Sequence, residues 1–573
     1  MSFKSFCQNS YLLGLFASII FLVGCGNSES TLKPPRRAAN GDIVYGGLFR
    51  MNLSEEFRSI FPHNMVDASA LGLMNQVYEG LMRTNPVSGE LERQLAETYT
   101  VSPDGLKYTF QLRKGVLFHD DKIFEDGKGR ELTAQDIAFC IEQLCTPSDR
   151  NQQYAFMIDA LKGGRAFYES GGKNPESLGI SIIDDYTLEL ELAKPLPIFL
   201  TILSHPSCWI FPRELMLYEA DVDRWCIGTG PFKANTIKVN EVIIFERHKQ
   251  YWAVDSLGNS LPYIDAVRCN FVLDQDEQVD LFLEGKLDFI RNIPYTRLAS
   301  LPETSDKEYD IFNVPGLKVE YYGFQHKRPL FSDFRLRKAI NLAVNRRFLV
   351  DSILMGYGSP AIYGFVPPAM ATYPADSIVG LTFNPVEAKA LMAEAGYANG
   401  EGFPVLQLQL NDGNSTVLNV AEAVQEMLMA NLGITVELSV LPRNKHYEQV
   451  ENGEVDFWRD GWIADYSEPE NFLKLFYGKL LSDDPEQSSY LNTVRFKDAK
   501  FDSSFEKALT EGDTQKRMLQ YMYADRELVE QAAVMPLYYE QWVWLVNKRV
   551  KNLRVSNLGI LDLSQVYFES EAP

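Results

Sequence analysis

An α/β fold divided among two or three domains is what this sequence predicts, on three observations. A strand, a helix and a second strand follow one another between Val405 and Val440, the spacing of a βαβ unit and hence of a parallel sheet. A helix stopped by glycine and followed by a strand bearing Asp and Phe occurs twice. The copies are Leu283-Glu284-Gly285-Lys286-Leu287-Asp288-Phe289 and Glu451-Asn452-Gly453-Glu454-Val455-Asp456-Phe457. Two related α/β lobes would give such a repeat. Finally, 573 residues exceed what one core holds.

Taken in order, the chain opens on a targeting segment. Lys4 supplies a weak n-region, and the apolar run Tyr11 to Val23 is short for a membrane span. It ends in Leu22-Val23-Gly24-Cys25, a lipobox in which Cys25 becomes the acylated N-terminus; an ordinary signal peptide with an incidental Cys is the alternative. Residues 1–24 are then signal, and 25–41, polar and Pro-containing, the lipidated Cys and a flexible tether.

Ile43 to Asn52 reads as the first strand and Phe61 to Ala68 as a loop, followed by a helix bearing Leu71, Met74, Val77, Tyr78 and Leu81. Ser102-Pro103-Asp104-Gly105 is a hairpin turn, with Tyr108, Phe110 and Leu112 on the buried face of the returning strand. Thr133 with Asp136 forms a capping-box start, and Ile137, Cys140, Ile141 and Leu144 make the apolar stripe of that helix. Ile182 to Leu192 suggests another hairpin, and Val242 to Phe245 a strand. Ser332 or Asp333 caps a helix bearing Leu336, Ile340, Val344 and Phe348; Asn384-Pro385 starts another that stops at Gly396. Val417 to Leu428 is the helix of the βαβ unit, ended by Gly433.

Composition narrows function. Hydrophobic and charged fractions of 46% and 23% place the chain among soluble globular proteins. A net charge of −22 argues against nucleic acid, whose phosphates need clustered Lys and Arg. The six His fall in no metal-ligand spacing, and neither a GxSxG elbow nor a phosphate loop occurs. Asp274 and Asp276 begin like a calcium loop, but Val279 stands where that loop needs Gly. His119-Asp120-Asp121 with Glu125 and Asp126 reads as a solvated acidic cluster. Outside the leader and Cys25, five Cys remain; Cys208 and Cys226 either bridge or stay as buried thiols. The expectation is no cofactor, no metal site and no catalytic residue.

The stretch Trp458 to Phe472 stands out. A short strand through Val455 and Phe457 leads into it, and Gly461, Ser467 and Pro469 then suggest an irregular loop bearing two Trp, a Tyr and four acids. Such loops after strands build ligand sites in α/β proteins, although solvated acids on a surface turn would read the same way.

Several segments together resemble the family 5 extracellular solute-binding proteins, the receptors of peptide ABC importers. They include Val77-Tyr78-Glu79-Gly80-Leu81, Ser102-Pro103-Asp104-Gly105-Leu106, Leu112-Arg113-Lys114-Gly115-Val116, Gly228-Thr229-Gly230-Pro231-Phe232 and Arg335-Leu336-Arg337-Lys338-Ala339-Ile340. The resemblance runs from about residue 43 to about 545 and implies a two-lobed clamshell of the type II-like periplasmic-binding-protein class, with mixed sheets. Lobe I would comprise 42–82, 205–314 and 537–573, with an accessory subdomain at 83–204, and lobe II 315–536. Crossings between lobes are expected near Val314 to Tyr322 and Ala533 to Tyr538.

Within the resemblance, Gly461-Trp462 and Ala464-Asp465-Tyr466 with Glu468-Pro469 match the oligopeptide branch. The family's aspartate that pairs with a peptide α-ammonium falls on Asp465, and Trp462 would wall a side-chain pocket. Arg459 falls where some members meet a peptide carboxylate; a local pair with Asp460 or Asp456 is the alternative. Val66, Asp67 and Ala68 lie where the family's backbone pairs with an extended ligand. Two departures touch the ligand class: Val66 replaces a common acid, and Ile463 stands where some members carry a disulfide Cys. The implied partners are a peptide, ABC permease subunits and a bacterial membrane reached through the lipid, with the receptor monomeric. The rivals are the same fold binding an oligosaccharide or metal chelate, and a hydrolase using Asp460, Asp465, Glu468 and Glu470.

Overall fold

The computed structural model describes residues 37–569, apart from 87, 302–307, 412–414 and 482–486. The expected signal segment, Cys25 and most of the tether lie outside the described residues. Arg37–Ala38, at the end of the expected tether, pair with Val44–Tyr45 as a small ribbon, so these residues are folded onto the domain. No helix among the described residues is long and apolar enough to cross a membrane.

One mixed sheet organises the molecule. Its main strands are β1 (Leu48–Leu53), β2 (Phe232–Lys238), β3 (Val242–Arg247), β4 (Ala266–Phe271), β5 (Phe289–Ile290), β6 (Tyr309–Phe324), β7 (Leu406–Asn411), β8 (Val436–Leu441), β9 (Phe457–Ile463) and β10 (Val534–Asn547). Their spatial order is β2-β3-β4-β1-β5-β10-β6-β9-β7-β8. The order reads alike from both sides of its centre. On one side β4, β1 and β5 run parallel and β5 meets β10 antiparallel. On the other, β8, β7 and β9 run parallel and β9 meets β6 antiparallel. The repeated helix–glycine–strand segment supplies β5 and β9, the equivalent strands on the two sides. Helices Gln275–Leu283 and Arg443–Glu451 each run out into a glycine at φ +72° or +73°, Gly285 and Gly453, before β5 and β9.

The centre is the pair β6 and β10, hydrogen-bonded to each other from Tyr309↔Asn547 to Gly323↔Val534. Their register shifts between Pro315 and Val319, opposite Gln541 and Tyr539. Side chains on either end belong to different cores. Val543, Trp544, Leu545 and Val546 pack with first-lobe residues such as Phe49, Phe289 and Ile290. Met535, Leu537, Tyr538 and Tyr539 pack with second-lobe residues such as Tyr322, Leu408 and Phe365. Leu537 and Tyr538 are buried in the second core, and Val543 and Leu545 in the first.

A separate antiparallel sheet, ordered Ala96–Val101, Lys107–Leu112, Thr187–Glu191, Ile180–Asp184, contains both predicted hairpins, and its core is continuous with the first lobe. The Thr133–Asp136 capping box forms as read, and Asp333 caps helix Phe334–Leu342 by accepting from the Arg335 N–H. That helix ends before Val344, since the Asn345 side chain caps a new turn, and Phe348 is 45% exposed rather than on the buried face. Cys208 and Cys226 are free buried thiols; burial pushes Cys208 up to about 12.

Candidate ligand-binding cleft

Between the lobes lies a cavity of about 2590 Å³, well above the roughly 300–1,000 Å³ of small-molecule sites. Val66, Asp67 and Arg291 line it from the first lobe, and Glu320, Trp462 and Asp465 from the second. A space this size suits an extended ligand.

The second-lobe wall is β9 and the turn after it. Trp458 to Ile463, read from sequence as loop, is strand, because it pairs with β6 from Lys318↔Ile463 to Phe324↔Phe457. Gly461 is no break there. A Cβ on it would come within 2.6 Å of the Glu320 carboxylate across the pair, so the missing side chain makes room for that acid. Trp458 is fully buried in the core, whereas Trp462 lines the cleft.

Asp465 follows the strand and is held locally. Its backbone N–H donates to Asn471 Oδ1 at 3.1 Å, and Asn471 Nδ2 donates back to Asp465 Oδ2 at 3.0 Å. The same Asn471 Oδ1 accepts from Trp462 Nε1 at 2.9 Å, so one amide fixes both predicted residues. Across the cleft, His205 Nε2 from the first lobe lies 3.6 Å from Asp465 Oδ1. The Ser207 N–H donates to His205 Nδ1 at 3.1 Å, which puts the proton of a neutral ring on Nε2, facing the carboxylate. Lys474 Nζ lies 3.9 Å from Asp465 Oδ2 and near the rings of Tyr466 and Trp462. Burial opposes ionisation of Asp465, but His205, Lys474 and Asn471 outweigh it and pull its pKa down to about 2. The carboxylate is therefore ionised at any ordinary pH.

Tyr466 and Ala464 also line the cleft but are 1% and 5% exposed, and the Tyr466 hydroxyl donates to Glu470 Oε2 at 2.5 Å. Arg459 lines the cleft but does not make the local pair with Asp460 or Asp456 weighed for it. Its guanidinium donates through Nε to Glu320 Oε2 at 2.9 Å and through Nη1 to Asn411 Oδ1 at 2.9 Å. Arg459 and Glu320 are diagonal neighbours across the β6–β9 pair. The local acids are occupied elsewhere: Asp460 accepts from Tyr321 at 3.1 Å, and Asp456 pairs with Arg328 at 3.3 Å. Glu468, grouped with these acids as a hydrolase candidate, is tied to Arg517 at 2.8 Å. The four carboxylates Asp460, Asp465, Glu468 and Glu470 thus have different partners: Tyr321, Asn471, Arg517 and Tyr466.

On the first-lobe wall, Val66 and Asp67 line the cleft; Asp67 precedes helix Ala68–Met74, which Ala68 opens, and accepts from the Arg58 N–H at 3.2 Å. The sequence reading missed His205, Asn471, Lys474, Glu320 and Arg291. Asn471 carried a signal, lying six residues after Asp465 in the same turn; His205 carried none. In the acidic segment, His119 is buried and its Nε2 meets Gly230 O at 2.9 Å, and Asp121 accepts from Trp225 Nε1 at 3.2 Å.

Two lobes joined by a shared sheet around a polar cleft define a clamshell binding protein. The chain belongs to a family of this class: the one described as bacterial extracellular solute-binding proteins, family 5 Middle, matches residues 90–482. Among curated relatives, it is similar to the oligopeptide-binding protein OppA of Bacillus subtilis, 26% identical over 91% of this chain and 92% of that one. It is also similar to the glutathione-binding protein GsiB of Salmonella typhimurium, 25% identical over 93% and 95%. Among solved structures, the periplasmic binding protein DppA of Helicobacter pylori, in complex with peptide STSA, superposes with a TM-score of 0.78 at 24% identity, covering 92% of this chain and 99% of that one. Haemophilus influenzae OppA in complex with RPPGFSPFR gives 0.75 at 24% identity, covering 92% and 100%.

Proposed function

We propose that this chain is the solute receptor of an ABC importer, that its cleft captures peptides by closure of the lobes, and that it performs no catalysis. The observation that carries the reading is Asp465: an ionised carboxylate, 21% exposed, set in the cleft where the two lobes meet. Such a group suits a peptide α-ammonium, since charge-assisted hydrogen bonds strengthen as water is excluded. Trp462, held by Asn471, would wall an adjacent side-chain pocket, and the backbone at Val66-Asp67-Ala68 would add the peptide as a strand. The names of the relatives agree: one binds oligopeptides, another glutathione, and the Helicobacter neighbour is ABC transporter-associated. The organisation that goes with this reading is residues 1–24 as signal, Cys25 as a lipid anchor at an extracytoplasmic membrane face, and a monomer on a tether. The accessory subdomain at 83–204 belongs to the first lobe.

To test the reading, purified protein is denatured and the released ligand identified by mass spectrometry. Peptides are expected; only sugars or metal chelates would overturn it. Asp465 stays charged until pH falls towards about 2, so its own protonation should not weaken binding of a free-amino peptide between pH 7 and 4. Above about 8 the peptide ammonium loses its proton and affinity should fall. Calorimetric titration in which affinity instead rises through pH 9 would exclude the ammonium–Asp465 contact.

A further inference from the structure

Arg291 is set apart from other arginines of the cleft. Arg58, Arg83, Arg165 and Arg459 each have a carboxylate within 4 Å, and Arg443, which also lines the cleft, lies over the Tyr447 ring at 5.9 Å. The Arg291 guanidinium has neither an ion pair nor a hydrogen bond among the described residues, and its Nε is buried without a partner. It follows β5 on the first-lobe wall. Its backbone is pinned, since Gln278 Nε2 donates to Arg291 O at 2.8 Å, and Asn292 at φ 56° turns its own amide onto Glu55 Oε1 at 2.9 Å. The guanidinium lies over Gly72 of helix Ala68–Met74, where a Cβ would sit 3.3 Å from Nη1. Burial lowers its pKa, only partly offset by Glu55 and Cys269. An arginine cannot shed its proton at ordinary pH, so this wall presents a poorly solvated positive charge to the cleft.

We propose that Arg291 forms a carboxylate-recognising subsite, so that the cleft reads a zwitterionic ligand: its ammonium on Asp465 of the second lobe and a carboxylate on Arg291 of the first. A planar guanidinium with free donors matches a carboxylate by a bidentate pair. A ligand charged at both ends would then bridge the two walls. This rests on the peptide reading above. The carboxylate comes either from the peptide C-terminus or from an acidic side chain.

The test offers wild-type and Arg291→Gln protein two random tetrapeptide libraries, with retained masses read after desalting. The first lacks Asp and Glu and mixes free-acid with C-terminally amidated members; the second is wholly amidated and contains Asp, Glu, Asn and Gln. Wild type is expected to favour carboxylate-bearing members by roughly ten- to a hundredfold, the range of one charge-assisted bond. Arg291→Gln should lose that preference while still retaining peptides. Loss in the first library assigns the subsite to the C-terminus; loss in the second assigns it to an acidic side chain. An equal preference in both proteins, or none in wild type, overturns the proposal. If wild type retains no peptide at all, the peptide reading fails. Arg291 is then judged by its side-chain Nε–Hε resonance under acetate against chloride, where no selective shift overturns the subsite. Should Arg291→Gln fail to fold, Arg291→Lys serves in its place, keeping charge but losing the bidentate fork and most of the preference.

Discussion

Replacing Asp465 by Ala is expected to weaken binding of a free-amino peptide by about 2–5 kcal/mol, the cost of truncating one partner of a buried charge pair. The effect should be selective. An N-acetylated peptide has no ammonium to offer, so the wild type should bind it about as weakly as the variant binds the free form. Calorimetric titration of both peptides into both proteins gives the coupling directly. Equal wild-type affinity for the two peptides would remove Asp465 from the proposed site. The stability of the protein should respond less, because only part of the Asp465 surroundings depends on its charge. Its depressed pKa adds stability that is present above 3.8 and lost as pH falls through about 2, outside the range of a binding assay.

The second large effect concerns folding. Asp288 is wholly buried beside β5 and receives two arginines: Arg50 Nε at 3.0 Å and Nη2 at 3.1 Å, and Arg549 Nε at 2.8 Å. It also accepts from the Arg50 backbone N–H at 2.8 Å. It therefore fastens β1 to the chain just beyond β10. Arg50 and Arg549 are 26% and 45% exposed, so water can solvate the cations that Asp288→Ala leaves. The loss of stability should be about 1–3 kcal/mol, that of hydrogen bonds to a charged group. Urea unfolding would measure it. A loss under 1 kcal/mol would show that water replaces the carboxylate at no cost.

Local signals were the legible part of the sequence. Alternation at Val405 to Leu410 and Ile434 to Val440, with Gly433 between helix and strand, was enough to place β7 and β8 parallel. The repeated helix–glycine–Asp–Phe segment gave support to two related halves without deciding them. Trp462, near the end of β9, and Asp465, in the turn after it, both line the cleft and both hydrogen-bond Asn471. What the sequence hides is long-range pairing. His205 stands about 260 residues from Asp465, and Glu320 is 139 from Arg459. No spacing rule links such residues before the strands are laid side by side. Gly461 misled for the same reason: it reads as a strand break until the acid on the neighbouring strand is known.

The pairing of β6 with β10 has a mechanical consequence. Two separate connectors would let one half of the molecule slide, shear and rotate against the other. A hydrogen-bonded ribbon suppresses shear and leaves bending about the register shift at Pro315 to Val319 as the soft degree of freedom. It also couples the halves thermally, since neither end of the ribbon can melt without freeing the other. Scanning calorimetry of the empty protein should accordingly show one heat-absorption peak rather than two.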